Sequence, residues 1–214
     1  GARIAGTLAD ILNDPQVPRQ VRRQAPRVLC RIPHQRSVDV LIGALEETDL
    51  LVRNAVLRAL SRLRDTNPEL EYGTAPVSKH ILAEARRYFE LNAALAPFRD
   101  QKNPRTAAGL LAATLEHRLE GSIERLFRLL GLRYPPKEIY AAYVAVNRKR
   151  PEQYTAAIEF LDNVLDREQK RIVLPLLDES SLTAAGRDLF GIEAKTAASA
   201  VRDLLHSRDG WLTA

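Results

Sequence analysis

The chain contains no methionine, one cysteine, one tryptophan and only 6% aromatic residues, and each scarcity excludes a class of protein. With Cys30 alone there is no intrachain disulfide framework, so a reducing cytoplasm is the default expectation. No apolar run approaches the roughly 20 residues that span a bilayer, and the N-terminus lacks the charged, apolar and cleavage regions of a secretory signal. The ten glycines are scattered, none forming a phosphate-cradling loop, and there is no Gly-x-Ser-x-Gly and no supported Ser/His/Asp constellation. His34, His80, His117 and His206 form no metal-ligand spacing. His80 with Glu84, and Glu116 beside His117, fall short of the Glu-x-x-His pairs that a carboxylate-bridged site needs. These absences lead to the expectation of a non-enzyme with no cofactor, no metal and no small-molecule substrate.

What is abundant points to helices. The sequence is 45% hydrophobic and 28% charged, ordinary for a core-forming protein, and Ala, Leu and Arg dominate, residues that lose little rotamer freedom in a helix. An all-α fold is expected. The net charge of +5 is mild, but its distribution is uneven. No acid lies between Asp14 and Asp39, while Arg19, Arg22, Arg23, Arg27, Arg31 and Arg36 all fall there. Such a segment attracts an anionic partner.

The chain repeats itself. "VRRQAPRVLCRI" (21–32), shifted by 31 residues, lies over "VRNAVLRALSRL" (52–63) with five of twelve positions identical: Val21/Val52, Arg22/Arg53, Arg27/Arg58, Leu29/Leu60 and Arg31/Arg62. An amphipathic segment precedes each, "IAGTLADILND" and "SVDVLIGALEETD". A fainter copy pairs "EIYAAYVAVNRK" with "QYTAAIEFLDNVL", setting Ala156, Leu161 and Val164 over Ala55, Leu60 and Leu63. A helical pair of this size cannot bury its apolar stripe alone, and stacked neighbours supply the missing core. The expected architecture is therefore an α-solenoid, with two repeats over residues 1–70 and further helical pairs over 133–214.

Between them, 77–132 reads as a long antiparallel helical hairpin interrupting one continuous solenoid domain. Ile81, Leu82, Ala85, Tyr88, Phe89 and Leu95 fall at helical spacing, "APFRDQKNPR" breaks the first helix, and Pro104 suits the first turn of the second. Gly131 is expected to stop that helix before "YPPKE". "SLTAAGRDLFGI" and "KTAASAVRDLLHS" predict two further short helices. "SRDGWLTA" resembles the opening of another repeat, truncated, and the leading "GA" in a chain without methionine suggests a piece excised from a longer protein.

Asp49, Val52, Arg53, Ala55, Leu60 and Leu63 resemble a HEAT repeat. That resemblance implies a protein-binding scaffold in which Asp49 and Arg53 form polar bridges between neighbouring repeats; in the first copy Arg22 fits, with the acid displaced to Asp14. "VPRQVRRQAPRVLCRI", "RLFRLLGLRYPPKEIYAAY" and "AAIEFLDNVLDREQKRIVLPLLD" resemble the cytoplasmic HEAT region of bacterial membrane proteins related to ATP/ADP translocases, the nucleotide transporter family. This narrower likeness implies a cytoplasmic regulatory or scaffolding domain, tethered to the inner membrane in the full-length protein, with other domains of the same chain or a protein as partner.

On a helical wheel, Arg19, Arg22, Arg23, Arg27 and Arg31 cover one side of the opening stretch and Val21, Ala25, Val28, Leu29 and Ile32 the other. The bland reading of the arginines is a solvated face with inter-repeat bridges, and the 31-residue echo favours it for Arg22, Arg27 and Arg31. The alternatives are contact from the Arg19–Arg36 face to nucleic acid, to anionic lipid or to an acidic protein partner, with Arg19 and Arg23 the first residues to test. A HEAT-like DNA glycosylase is a further alternative, although such enzymes stack aromatics on the flipped base and Trp211 lies near the chain end. Cys30, matched by Ser61, reads as a small packing residue rather than a reactive thiol. Tyr134, Tyr140, Tyr143, Tyr154 and Phe160 are expected to pack where the hairpin meets the third copy. The docking surface is expected on the face of stacked second helices.

Overall fold

The computed structural model describes residues 2–206 apart from Lys102 and Lys149, and their regular structure is α-helix with two short 3₁₀ turns. The chain divides into two compact units, residues 1–80 with 128–140, and residues 81–127 with 141–214.

The first unit opens with α1 (Ala2–Asn13), α2 (Arg19–Arg22) and α3 (Ala25–Leu29), then α4 (Gln35–Gly43) and α5 (Leu50–Thr66). Helix α1 packs on α3 and α4 packs on α5, giving two antiparallel pairs; α1 also packs on α4, and α3 on α5, so first helices stack on first and second on second. This is the α-solenoid arrangement expected from the repeat. Its core is a continuous column of Ala5, Leu12, Leu29, Val38, Leu41, Val52, Val56, Leu60 and Leu63, all buried. Leu29 and Leu60, identical in the 31-residue echo, are both 0% exposed, which fixes the register of the two copies.

The opening stretch departs from the single amphipathic helix expected of it. It is two short helices broken at Arg23–Gln24. Pro26 lacks an amide hydrogen and sits in the first turn of α3, where that loss costs nothing. The break turns α3 relative to α2, so Ala25 and Leu29 are buried while Val21 and Val28, placed on the same apolar side by the wheel, are 48% and 44% exposed.

Local signals set the remaining boundaries of this unit. Asp49 caps α5, its carboxylate accepting from the Leu51 and Val52 amides at 2.9 and 3.1 Å, and His34 Nδ1 caps α4 by accepting from the Arg36 amide at 3.1 Å. Gln35 clamps the segment after α5 from both sides, donating to the Glu71 carbonyl and accepting from the Glu71 amide. Tyr72 is buried beside it with the Arg64 guanidinium 5.2 Å from its ring centroid.

Helix α6 (Thr74–Leu95) and helix α7 (Ala107–Arg133) follow. Two boundaries differ from expectation. Helix α7 begins at Ala107, not at Pro104, because Thr106 Oγ1 accepts from the Gly109 amide at 3.0 Å and so caps the helix. It also runs through Gly131, where a Cβ would make only ordinary van der Waals contact with Pro136, 3.7 Å away. An internal glycine costs roughly 1 kcal/mol, too little to end a helix of 27 residues.

In the second unit, residues 81–95 and 107–127 lie antiparallel: buried Glu84 meets Ser122 and Arg125 at one end, and Leu91, Ala94, Leu95 and Phe98 cluster with Ala112 and Leu115 at the other. Helices α8 (Pro136–Arg148), α9 (Pro151–Val164), α10 (Arg167–Leu177), α11 (Leu182–Phe190) and α12 (Ala197–His206) complete the described chain. Ala200 and Leu204 of α12 join the Leu91–Leu115 cluster. Helix α11 ends at Gly191, whose φ of +67° allows its amide to return to Arg187 and that of Ile192 to Gly186. The last two short helices thus stand where expected, whereas the truncated repeat and Trp211 lie outside the described residues.

Candidate functional site

The arginines of the first unit fall into two groups. Arg22 is part-buried and structural: its guanidinium donates to the Leu12 carbonyl at 3.0 Å and to Glu47, the two side chains of that ion pair being 11% and 12% exposed. Glu47 Oε1 also accepts from the Asp49 amide, and its carbonyl accepts from Arg53 Nη1 at 3.2 Å. Arg19 pairs with Asp49 across the repeats at 3.7 Å. Asp49 and Glu47 thus join α2 of the first pair to the start of α5 in the second, with Arg22 and Arg19 as the cations, while Asp14 accepts from the Gln16 amide in its own turn. Lys79 likewise pairs with Glu46 at 2.6 Å, which holds the Glu46 carboxyl below its usual range.

The second group gathers in a cleft of about 300 Å³ between the second helices of the two pairs. Arg23, Arg27, Cys30 and Arg31 line it from the α3 side; Ala55, Arg58, Ala59 and Arg62 line it from α5. Arg58 and Arg62 are four residues apart on α5, one helical turn, and share a face, while Arg27 stands on α3 and Arg31 in the turn that follows it. Ala55 and Ala59 alternate with the α5 arginines and are almost fully buried, leaving a small-residue surface that a ligand can approach closely. Among the described residues none of the five arginines forms an ion pair; Arg27 Nη1 donates to Gln24 Oε1 at 3.2 Å, the neutral neighbour. Five arginines therefore line one recess with no carboxylate paired to them.

Cys30 enters the cleft half-buried, its thiol donating to the Arg27 carbonyl at 3.3 Å. Ser61, its counterpart in the second copy, donates to the Leu57 carbonyl at 3.0 Å. Both satisfy a short polar group locally and act as small residues.

Arg36, expected with the basic face, lies elsewhere: it is in α4 with its guanidinium beside Gly6 of α1. Of the six arginines expected as one surface, Arg23, Arg27 and Arg31 converge, Arg19 and Arg22 are bound by acids, and Arg36 is on a first helix. Arg58 and Arg62 had been absent from the expected surface. The signal for them was the echo itself, because positions that recur in two stacked repeats come to lie side by side.

Residues 6–85 match the family model of HEAT repeats. No curated protein and no solved structure matches the chain. The HEAT segment covers α1 to α5 and both walls of the cleft, so the arginine cluster belongs to the repeat-bearing part of the chain.

The tyrosines singled out in the sequence have separate settings. Tyr134 lies under the Arg133 guanidinium at 5.5 Å in the first unit. In the second, Tyr143 packs on Phe127 with centroids 5.5 Å apart, and the Tyr154 hydroxyl donates to the Leu177 carbonyl. Tyr140 is 64% exposed. A larger hollow of about 930 Å³ in the second unit is lined by apolar Leu119, Ile123, Ile158 and Leu174 and by charges of both signs, Arg99 and Glu116 among them. Its mixed lining selects no one ligand.

Proposed function

We propose that the chain is a non-enzymatic docking module in which the HEAT segment receives an acidic segment of a protein partner in the cleft between α3 and α5. HEAT repeats serve generally as protein-interaction scaffolds. The observation that carries the reading is the convergence of Arg23, Arg27, Arg31, Arg58 and Arg62 on one recess without a neutralising carboxylate. Holding five like charges together disfavours the fold through mutual repulsion, and an anionic partner removes that repulsion on binding. Asp49, Glu47 and Glu46 already neutralise Arg19, Arg22 and Lys79 nearby, so the unmet charge is local.

In the narrower reading, as the cytoplasmic region of a translocase-related membrane protein, the partner segment belongs to the same polypeptide or its membrane complex. No described helix is long and apolar enough to cross a membrane, so in this reading an anchor is supplied by other segments.

The test is fluorescence anisotropy of a short Glu/Asp-rich peptide titrated with the protein and with an Arg27→Gln/Arg58→Gln/Arg62→Gln variant. The proposal expects micromolar binding at low salt that the triple variant weakens by about tenfold or more, since each screened charge contact contributes on the order of 0.5–1 kcal/mol. Equal affinity for both proteins, or no binding, overturns it.

A further inference from the structure

We infer that the arginine cleft is built to take a phosphate monoester borne on a side chain of the partner segment. The inference rests on the docking reading above and adds the chemistry of the group that enters.

Three features select it. The first is charge density. Five arginines line about 300 Å³, and a single carboxylate brings one negative charge and two oxygens to them. A phosphate monoester brings about 1.5 to 2 negative charges and three acceptor oxygens. The planar fork of arginine matches those oxygens bidentately, and Arg27, Arg31, Arg58 and Arg62 stand on opposite walls, so oxygens pointing both ways find donors.

The second is shape. The cleft is recessed between two helices, and small residues, Ala55, Ala59 and Cys30, lie among the arginines. A group projecting from a backbone enters such a recess; a flat membrane surface does not.

The third is that other cations of the same unit are already paired. Arg19, Arg22 and Lys79, the neighbouring cations, are held by Asp49, Glu47 and Glu46. A nucleic-acid backbone carries a phosphate every 3.4 Å of rise on each strand and is held by a row of free cations following it. Here the cations at the start of α5 are already paired with acids and do not extend such a row. One compact dianion suits the site, and a polyanion does not.

The experiment uses one short Gly/Ser peptide with a single central position occupied by phosphoserine, aspartate or serine, titrated by anisotropy into the full chain. Parallel titrations use a random-sequence DNA duplex, and inorganic phosphate serves as competitor. The phosphoserine form is expected to bind at least about tenfold more tightly than the aspartate form, the difference of roughly one extra charge-assisted contact. Millimolar inorganic phosphate should displace it. Arg58→Gln/Arg62→Gln should abolish the preference, while Arg171→Gln, which removes an equal exposed charge on α10, should leave it intact.

Equal binding of the phosphoserine and aspartate forms overturns the phosphate inference. If the Glu/Asp-rich peptide still binds in that case, the docking reading stands and only the chemistry of the group is wrong. Duplex binding tighter than the phosphopeptide, with a steep salt dependence abolished by the same double substitution, overturns the inference in favour of nucleic acid. Circular dichroism of each variant, all of them changes of exposed arginines, separates loss of binding from loss of fold.

Discussion

Arg22, held between the Leu12 carbonyl and the Glu47 carboxylate, and Arg58, facing an open cleft, ask opposite things of their surroundings. Removing Arg22 leaves the part-buried Glu47 without its cation, so Arg22→Ala should destabilise the chain by about 2 to 3 kcal/mol in chemical denaturation. Arg58→Gln removes a charge that repels four others and should change stability by no more than about 0.5 kcal/mol. Equal losses for the two would mean that the cleft arginines are structural. Tyr72 offers a separate test. Its hydroxyl is buried without a hydrogen-bond partner, and burial pushes its pKa up to about 12. Because the folded value exceeds the ordinary one of about 10, the neutral phenol stabilises the fold below pH 10, and that contribution is lost as pH rises toward 12. Tyr72→Phe should therefore be neutral or slightly stabilising at pH 7 and should flatten the decline in unfolding free energy between pH 10 and 12. A marked loss at pH 7 would show that the hydroxyl has a partner.

At the scale of elements, the repeat was legible because Leu29 and Leu60 recur where each second helix meets the core, and the structure buries both completely. Leu60→Ala should accordingly cost about 2 to 5 kcal/mol. The break inside the opening stretch was not legible from periodicity, since a wheel assumes one continuous helix; Pro26 marked the place but not the turn it imposes. The end of α7 was misplaced because Gly131 signals a stop in isolation, whereas its cost of roughly 1 kcal/mol is too small to end a helix of 27 residues. The antiparallel segments of the second unit are tied by Glu84, which accepts from Ser122 Oγ at 2.7 Å and Arg125 Nε at 2.9 Å and pairs with Arg87. No spacing rule links residues so far apart in sequence. Glu84→Ala leaves the Arg125 guanidinium, only 8% exposed, without that partner, and a loss of about 3 to 5 kcal/mol is expected. Gly109 is a sharper constraint, because a Cβ there would lie 1.9 Å from the Asn103 carbonyl oxygen, and Gly109→Ala must displace the capping turn of α7.

Over the whole molecule, a net charge of +5 says little, because what matters is which cations are matched: Arg19, Arg22 and Lys79 are paired with acids, and the five cleft arginines are not. What the stacking adds is juxtaposition. Arg27 and Arg31 recur as Arg58 and Arg62, and read along the sequence that recurrence argued for a shared structural duty. Stacked second helix on second helix, the same recurrence sets two rows of guanidinium groups across one cleft. The solenoid thus makes a site that neither copy holds alone, and Arg22 is the echoed arginine that keeps a structural role. Cys30, the sole cysteine of the chain, lines that cleft and reports on it. The rate at which N-ethylmaleimide, a neutral reagent, modifies Cys30 should fall as a Glu/Asp-rich peptide is added, following the occupancy measured by anisotropy and recovering at high salt. A thiol that reacts at an unchanged rate while the peptide is bound would place the partner elsewhere and contradict the assignment of this cleft.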